Sequence, residues 1–161
     1  IEGETKKTIR KTEETLNHSL AHLETQRVMR EQVLSLARER TRYTFVIDDQ
    51  TGPKFLDEEM IYDSLKGKDV DTVFEVSVRM VALEAKKNGI DPPLSLFMTA
   101  RIRLIRVKDN TVLSTLTFAH ESREKRKFTK WAKKDAQPFR EELDRCVKSL
   151  AEKIVVELLF S

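Results

Sequence analysis

Two histidines and a glutamate lie at one-turn spacing near the start of the chain. His18 and His22 are four residues apart, and Glu14 precedes His18 by four. Residues at this spacing share one face of a helix, as the ligands of a helical metal site do. A structural zinc ion needs four ligands, however, and no clear fourth is present. We interpret the three as a polar helix face, and expect no metal and no other cofactor.

Three other residues are candidates for nucleophilic chemistry. His120 and Ser122 are two apart at the end of a strand-like segment, so their side chains share a face. A catalytic serine also needs a third group that orients its base, and donors that stabilise the oxyanion, and nothing nearby supplies them. Cys146 falls on an apolar helical stripe, where a cysteine is usually a small buried hydrophobe. We expect no catalytic residue, and the sequence identifies no small-molecule substrate.

The densest charge lies between residues 123 and 134, where seven basic residues accompany one acidic residue. Phe128 and Trp131 interleave the basic residues. Basic groups with aromatic neighbours can bind nucleic acid, and they can equally meet anionic lipid head groups. They can also form a solvated surface that the aromatics anchor to the core. These alternatives stay open, with nucleic acid the least favoured. The basic residues are Arg123, Lys125, Arg126, Lys127, Lys130, Lys133 and Lys134.

Two long helices are predicted at the ends of the chain. Residues 4–41 contain no glycine or proline and carry leucines at three- and four-residue steps, which indicates one amphipathic helix. Residues 1–15 have few apolar groups, and we expect an extended or frayed helical start there. From Pro138 onwards an apolar stripe predicts a second helix of about 22 residues.

The middle of the chain predicts strands. Residues 43–47 form a short β-branched and aromatic run, and a short helix is expected from Asp57 to Leu65, stopped by Gly67. Three segments near residues 74–82, 94–104 and 112–118 then alternate apolar and polar residues. The fold class is therefore α+β: an antiparallel or mixed sheet of about four strands, with two long helices on one face.

The predicted outer face of the sheet is half apolar. Phe97 and Ile105 share the parity of Arg101 and Arg103 on the second alternating segment, and Val81 and Leu83 share the outer parity of the first. A half-apolar face is often covered by another chain, domain or segment. We therefore predict a possible interface at Phe97, Arg101, Arg103 and Ile105.

Length and composition limit the function classes. The chain of 161 residues has the size of one domain, so residues 1–161 are treated as a single domain. One cysteine excludes an intrachain disulfide, and four scattered glycines leave no phosphate-binding loop. Residues 43–72 carry eight acidic and three basic residues, opposite in sign to the basic segment. Such a dipolar surface favours oriented docking.

Several segments resemble a family of bacterial cell-envelope lipoproteins of uncharacterised function, whose globular part is similar to CsgG and to the amino-terminal domain of TolB. The resemblance is carried by residues 40–46, 71–76, 92–101, 126–132, 139–143 and 150–155. It implies a periplasmic domain, tethered to the outer membrane through an upstream lipidated residue. That location suggests a non-enzymatic accessory or docking module, whose partner is another envelope protein, a second copy or an anionic membrane surface. The alternative is a cytoplasmic module that binds nucleic acid or another polyanion.

Overall fold

The computed structural model of the chain describes residues 2–47 and 60–160. Helices α1 (Glu2–His22) and α2 (Thr25–Arg40) come first, and a short 3-10 helix (Asp63–Leu65) follows. Strands β1 (Thr72–Ala85), β2 (Leu94–Arg106) and β3 (Thr111–Arg126) then lead into helices α3 (Phe128–Trp131) and α4 (Lys133–Phe160). The chain is α+β, as the sequence predicts.

The sheet has three strands among the described residues, in the order β1-β2-β3, and both neighbouring pairs are antiparallel. The predicted strand at residues 43–47 is wrong. Tyr43 and Val46 are 76% and 79% exposed, and only Phe45 packs against the core. A β-prone sequence forms a strand only where a neighbouring strand pairs with it, and none of the described strands pairs with this segment.

A β-bulge in β1 changes which residues face the core. The register between β1 and β2 shifts between Val78 and Met80. Side chains alternate along a strand, so one extra residue exchanges the two faces beyond it. Val81 and Leu83, predicted on the outer face, pack against the core instead, whereas Met80 is 39% exposed.

The predicted first helix is two helices. Residues 2–22 are helical, including most of the start that was expected to be extended or frayed, and Thr12 and Leu16 are buried. Glu24 has a φ of 44°, in the left-handed region, and α2 begins directly after it. Neither glycine nor proline marks this break in the sequence. Both helices contribute buried residues to the core, Leu16 from α1 and Met29 and Val33 from α2.

Helix α4 supplies the largest share of the core. Its predicted stripe is confirmed: the side chains of Leu150 and Ile154 are 0% and 1% exposed. They share one hydrophobic cluster with inward residues of β1 and β2 and with α2. The other buried members of the stripe are Phe139, Leu143, Cys146 and Val147.

The link between α3 and the regular part of α4 is unusual. Lys134, Asp135 and Ala136 have φ values of 52°, 55° and 59°. Residues with a β-carbon rarely adopt this region, and no glycine signals it in the sequence. Regular helix follows immediately, with Pro138 near its start, as the sequence predicts.

The short helix predicted from Asp57 is only partly testable, because its first residues lie outside the described part. Tyr62 is not helical, and a 3-10 turn covers Asp63–Leu65. The predicted helix is therefore wrong at residues 60–62. The 3-10 turn ends at Leu65, and Gly67, two residues later, has a φ of 78°, which glycine adopts without strain. Within residues 2–47 and 60–160, no helix combines the length and the apolarity needed to cross a membrane.

Candidate docking surfaces

The basic residues of segment 123–134 surround one end of the sheet. Arg123, Lys125 and Arg126 belong to the last part of β3, and Lys127 precedes α3. Lys130 lies on α3, and the remaining two begin α4. The segment is therefore not one helix face. It is a strand end and two helix starts, held by the sheet and by α4.

Trp131 anchors this segment to the core. Its side chain is 0% exposed, and its Nε1 donates a hydrogen bond to the Leu94 carbonyl at 3.2 Å. The Arg126 guanidinium lies 5.8 Å from the centre of the ring. An indole that is fully buried and hydrogen-bonded offers no face to a nucleic-acid base. The sequence hypothesis that the aromatics anchor the segment therefore agrees with the position of Trp131.

Five of the seven basic side chains form no ion pair in the described structure. Arg126 pairs with Glu124, and Lys127 lies 3.4 Å from the Asp91 carboxylate. The side chains of Arg123, Lys125, Lys130, Lys133 and Lys134 are exposed to solvent. These five cations remain available to an anionic partner.

Sequence reasoning missed two further lysines at this end of the sheet. Ala85 pairs with Leu94, which pairs with Arg126, so the turn after β1 lies beside the basic segment. That turn begins with Lys86 and Lys87, and Lys86 pairs with Glu121 of β3 at 2.8 Å. They are nearly 40 residues from the basic segment in sequence, and only the strand pairing brings them together. We call Lys86, Lys87 and the seven segment residues the basic end.

A shallow, mostly apolar groove of about 330 Å³ adjoins the basic end. Phe128 lines it from the basic segment, together with residues of α1, the end of β1 and the start of α4. Its polar lining consists of Glu13 and Asn17. A shallow groove with a mostly apolar lining has the character of a contact surface.

The predicted outer-face interface is partly occupied by the chain itself. Arg103 and Ile105 are 7% and 1% exposed, so neither presents a free surface. Phe97 and Arg101 are only half-buried. Any interface with a partner on this face is thus restricted to the part near Phe97 and Arg101, and it stays a prediction.

The covered part of that face contains a buried ion pair, to which Tyr62 of the preceding segment is hydrogen-bonded. Arg103 donates from Nε and Nη2 to the two carboxylate oxygens of Glu75, at 2.7 and 2.8 Å. Tyr62 donates its hydroxyl to the same carboxylate at 2.5 Å. Burial alone would raise the pKa of Glu75, but the hydrogen bonds from Arg103 and Tyr62 outweigh it and lower that pKa. The carboxylate therefore stays ionised and holds residues 60–65 on the sheet.

The serine and histidine on β3 form hydrogen bonds with other partners and none with each other in the described structure. Ser122 accepts a hydrogen bond from the Leu96 amide and donates one to the Glu124 carbonyl, both at 2.8 Å. His120 instead contacts the Ser149 hydroxyl of α4 at 3.0 Å through Nδ1. Burial lowers the pKa of His120, which favours the neutral ring. Both hydrogen bonds of the Ser122 hydroxyl are to backbone groups, at a point where the pairing of β2 with β3 has a register shift.

Cys146 lies in the core, as predicted. Its side chain is 0% exposed, and burial raises the pKa of its thiol to about 12. A thiol with such a pKa is almost entirely protonated at neutral pH and is a poor nucleophile.

The predicted polar face of α1 carries no metal cluster in the part that can be described. His18 is exposed, and the side chain of His22 lies outside the described residues. Across residues 2–47 and 60–160, no three histidine, cysteine or carboxylate side chains converge as metal ligands would.

Comparison with protein-family models, with curated proteins and with solved structures finds no match to this chain. The resemblance to envelope lipoproteins therefore stays a prediction from the sequence.

Proposed function

We propose that this chain is a non-enzymatic docking module of the bacterial cell envelope, and that its basic end binds an anionic membrane surface. One observation carries the proposal: Lys86, Lys87 and the seven residues of the basic segment converge on one end of the sheet, which the buried Trp131 fixes in place. Segments 84–91 and 121–135 together hold nine basic and five acidic residues, a net charge of +4.

The hydrogen bonding of Ser122 and the burial of Cys146 support a role other than catalysis. The Ser122 hydroxyl is used by the backbone, and the Cys146 thiol is buried and protonated. Envelope location is supported by the sequence resemblance alone. The mostly apolar groove beside Phe128 would suit the edge of a lipid layer, since lipid head groups bring negative charge and apolar chains together.

Binding to vesicles tests the proposal. The chain should bind vesicles that contain anionic lipid and should not bind purely zwitterionic ones. Binding should weaken as salt rises, because exposed charges are screened within about 8 Å at physiological ionic strength. The variant Lys125→Gln/Lys130→Gln/Lys133→Gln should lose most of the binding. We expect Trp131 fluorescence to stay unchanged, because the indole is already buried.

A second triple variant distinguishes loss of the binding site from a general effect of lowering the net charge. Lys66, Lys68 and Lys108 lie at the opposite end of the sheet and are exposed. Replacing these three by glutamine removes the same charge and should leave vesicle binding nearly unchanged. Equal loss in both variants would contradict the proposal that the basic end is the binding site. Salt-resistant binding of one nucleic acid in preference to vesicles would contradict the membrane proposal and favour the polyanion alternative.

A further inference from the structure

Strand β3 forms one border of the sheet, and its two halves differ in whether other parts of the chain contact that border. The strand runs for 16 residues, from Thr111 to Arg126, and pairs only with β2 among the described elements. At Ala119 its outward carbonyl accepts a hydrogen bond from the Lys153 Nζ of α4 at 3.0 Å. From Val112 to Phe118 no described side chain hydrogen-bonds to the backbone, and no described strand pairs with the outer border.

The pairing register identifies the open peptide groups. Gln26 donates to the Val76 carbonyl, so the backbone groups of Val76 point outwards from β1. Val76 pairs with Ile102, which pairs with Leu116. Backbone groups alternate in direction along an antiparallel ladder. Leu116 therefore points its N–H and C=O towards β2, whereas Thr115 and Thr117 point theirs outwards. The same alternation directs the carbonyl of Ala119 outwards, in agreement with its bond from Lys153.

The open half of β3 is also uncharged and partly apolar. Residues 111–119 contain no charged side chain, in a chain of which 35% is charged. Val112, Leu113 and Leu116 are 46%, 48% and 37% exposed. Sheet borders are normally protected from further pairing by charges, prolines or covering elements. In the described structure, such protection is present at Leu113, where the pairing with β2 has a bulge, and from Ala119 onwards, but not from Ser114 to Phe118.

We infer that the open half of β3 pairs antiparallel with the same segment of a second copy of this chain, about a two-fold axis through Leu116. Thr115 of each copy then exchanges backbone hydrogen bonds with Thr117 of the other. The two Leu116 side chains lie opposite each other on the helix side of a continuous six-stranded sheet, which removes both from water.

The α4 helix continues the same self-complementary surface. Ser149 and Lys153 contact β3 at His120 and Ala119, so this face of α4 lies along the strand border. Val156 follows Lys153 by three residues on that face and is 40% exposed. A two-fold axis perpendicular to the sheet keeps both helix layers on one side, which brings Val156 of the two copies towards each other.

Charge selects a second copy as the occupant. With the axis at Leu116, the uncharged halves overlap and the basic halves, with Arg123 and Lys125, point to opposite ends of the assembly. No like charges meet, and like charges directly opposite would destabilise the pair. The dimer thus leaves both basic ends free, and it does not depend on what they bind.

Sedimentation tests the pairing directly. The unmodified chain should form a dimer in a concentration-dependent way. Thr115→Pro removes an outward N–H and leaves the ladder with β2 intact, because proline is tolerated on sheet borders. It removes one hydrogen bond from each copy, and should weaken dimerisation by about tenfold or more. Thr115→Val keeps the N–H and should still dimerise, while circular dichroism and thermal unfolding confirm that both variants fold.

Disulfide trapping tests the register even if Thr115→Pro does not fold. Leu116→Cys should form a disulfide-linked dimer under mild oxidation, because opposed residues of a strand pair have Cα atoms about 4.5 Å apart. Leu113→Cys is at least as exposed, but its two copies would be about 20 Å apart and should not link. Cys146 is buried and does not interfere.

Two results would overturn the inference. One is a chain that stays monomeric up to about 1 mM, where even a weak dimer is populated; the border would then serve a foreign strand or none. The other is a dimer that Thr115→Pro does not weaken, or one in which Leu113→Cys links as readily as Leu116→Cys.

Discussion

The two borders of the sheet differ in how the chain treats their backbone groups. On β1, the side-chain amide of Gln26 donates to the Val76 carbonyl at 2.6 Å and accepts from the Val78 amide at 2.7 Å. On β3, the Ala119 carbonyl accepts a hydrogen bond from Lys153, and between Val112 and Phe118 no described side chain hydrogen-bonds to the backbone. Helix α2 thus supplies β1 with the donor and acceptor of an absent neighbouring strand, while half of β3 keeps its own groups available.

The side chains beside the two borders differ in the same way. In one row of the sheet, Glu75 of β1 pairs with Arg103 of β2, which pairs with Thr115 of β3. Glu75 is buried and holds Arg103 and Tyr62, whereas Thr115 is exposed. The β1 side is therefore stabilised by contacts within the chain, whereas Thr115 on the β3 side is exposed to solvent.

The largest expected effect comes from Glu75→Ala. It leaves the buried Arg103 guanidinium without its partner, which should lower the free energy of unfolding by about 3–5 kcal/mol. Thr115→Ala, in the same row on β3, should change it by less than about 0.5 kcal/mol. Urea unfolding of both variants measures the difference.

The double variant Glu75→Leu/Arg103→Met is the matched control. It replaces both charges by apolar side chains and should recover much of the loss, because no charge is left buried alone. Similar unfolding free energies for Glu75→Ala and Thr115→Ala would show that side chains on the β1 and β3 sides contribute equally to stability.

A smaller effect is expected from Gln26→Ala. It removes two hydrogen bonds at a partly solvated border, which water can replace, so the loss should be about 1 kcal/mol. At concentrations where the chain is monomeric, hydrogen exchange at the Val78 amide should speed up towards the rate of the Thr115 amide. Gln32→Ala, on the same helix, changes a glutamine that makes no described hydrogen bond and should leave the Val78 exchange rate unaltered.

The smallest change in stability is expected from Lys153→Gln. This exposed residue contacts only the Ala119 carbonyl in the described structure, so the free energy of unfolding should change by less than about 0.5 kcal/mol. Dimerisation through β3 should strengthen, because a further outward carbonyl becomes available for pairing. Weaker dimerisation in sedimentation would mean that Lys153 supports the contact between copies and does not limit it.

The sequence alone determined the elements whose patterning is long and regular. The stripe from Phe139 to Leu158 and the alternation from Leu94 to Leu104 predict α4 and β2, because burying one face imposes a fixed period. The burial of Cys146 follows from the same stripe, and the basic segment is visible in the composition alone. These properties depend on residues close in sequence.

Only the tertiary structure decided the properties that depend on distant residues. The β1 bulge, the break at Glu24 and the missing strand at residues 43–47 follow from what packs against each segment, and no local residue type marks them. Lys86 joins the basic end because Ala85, Leu94 and Arg126 are neighbours across the sheet. Whether a strand border is open or closed depends on a side chain such as Gln26, 50 residues away.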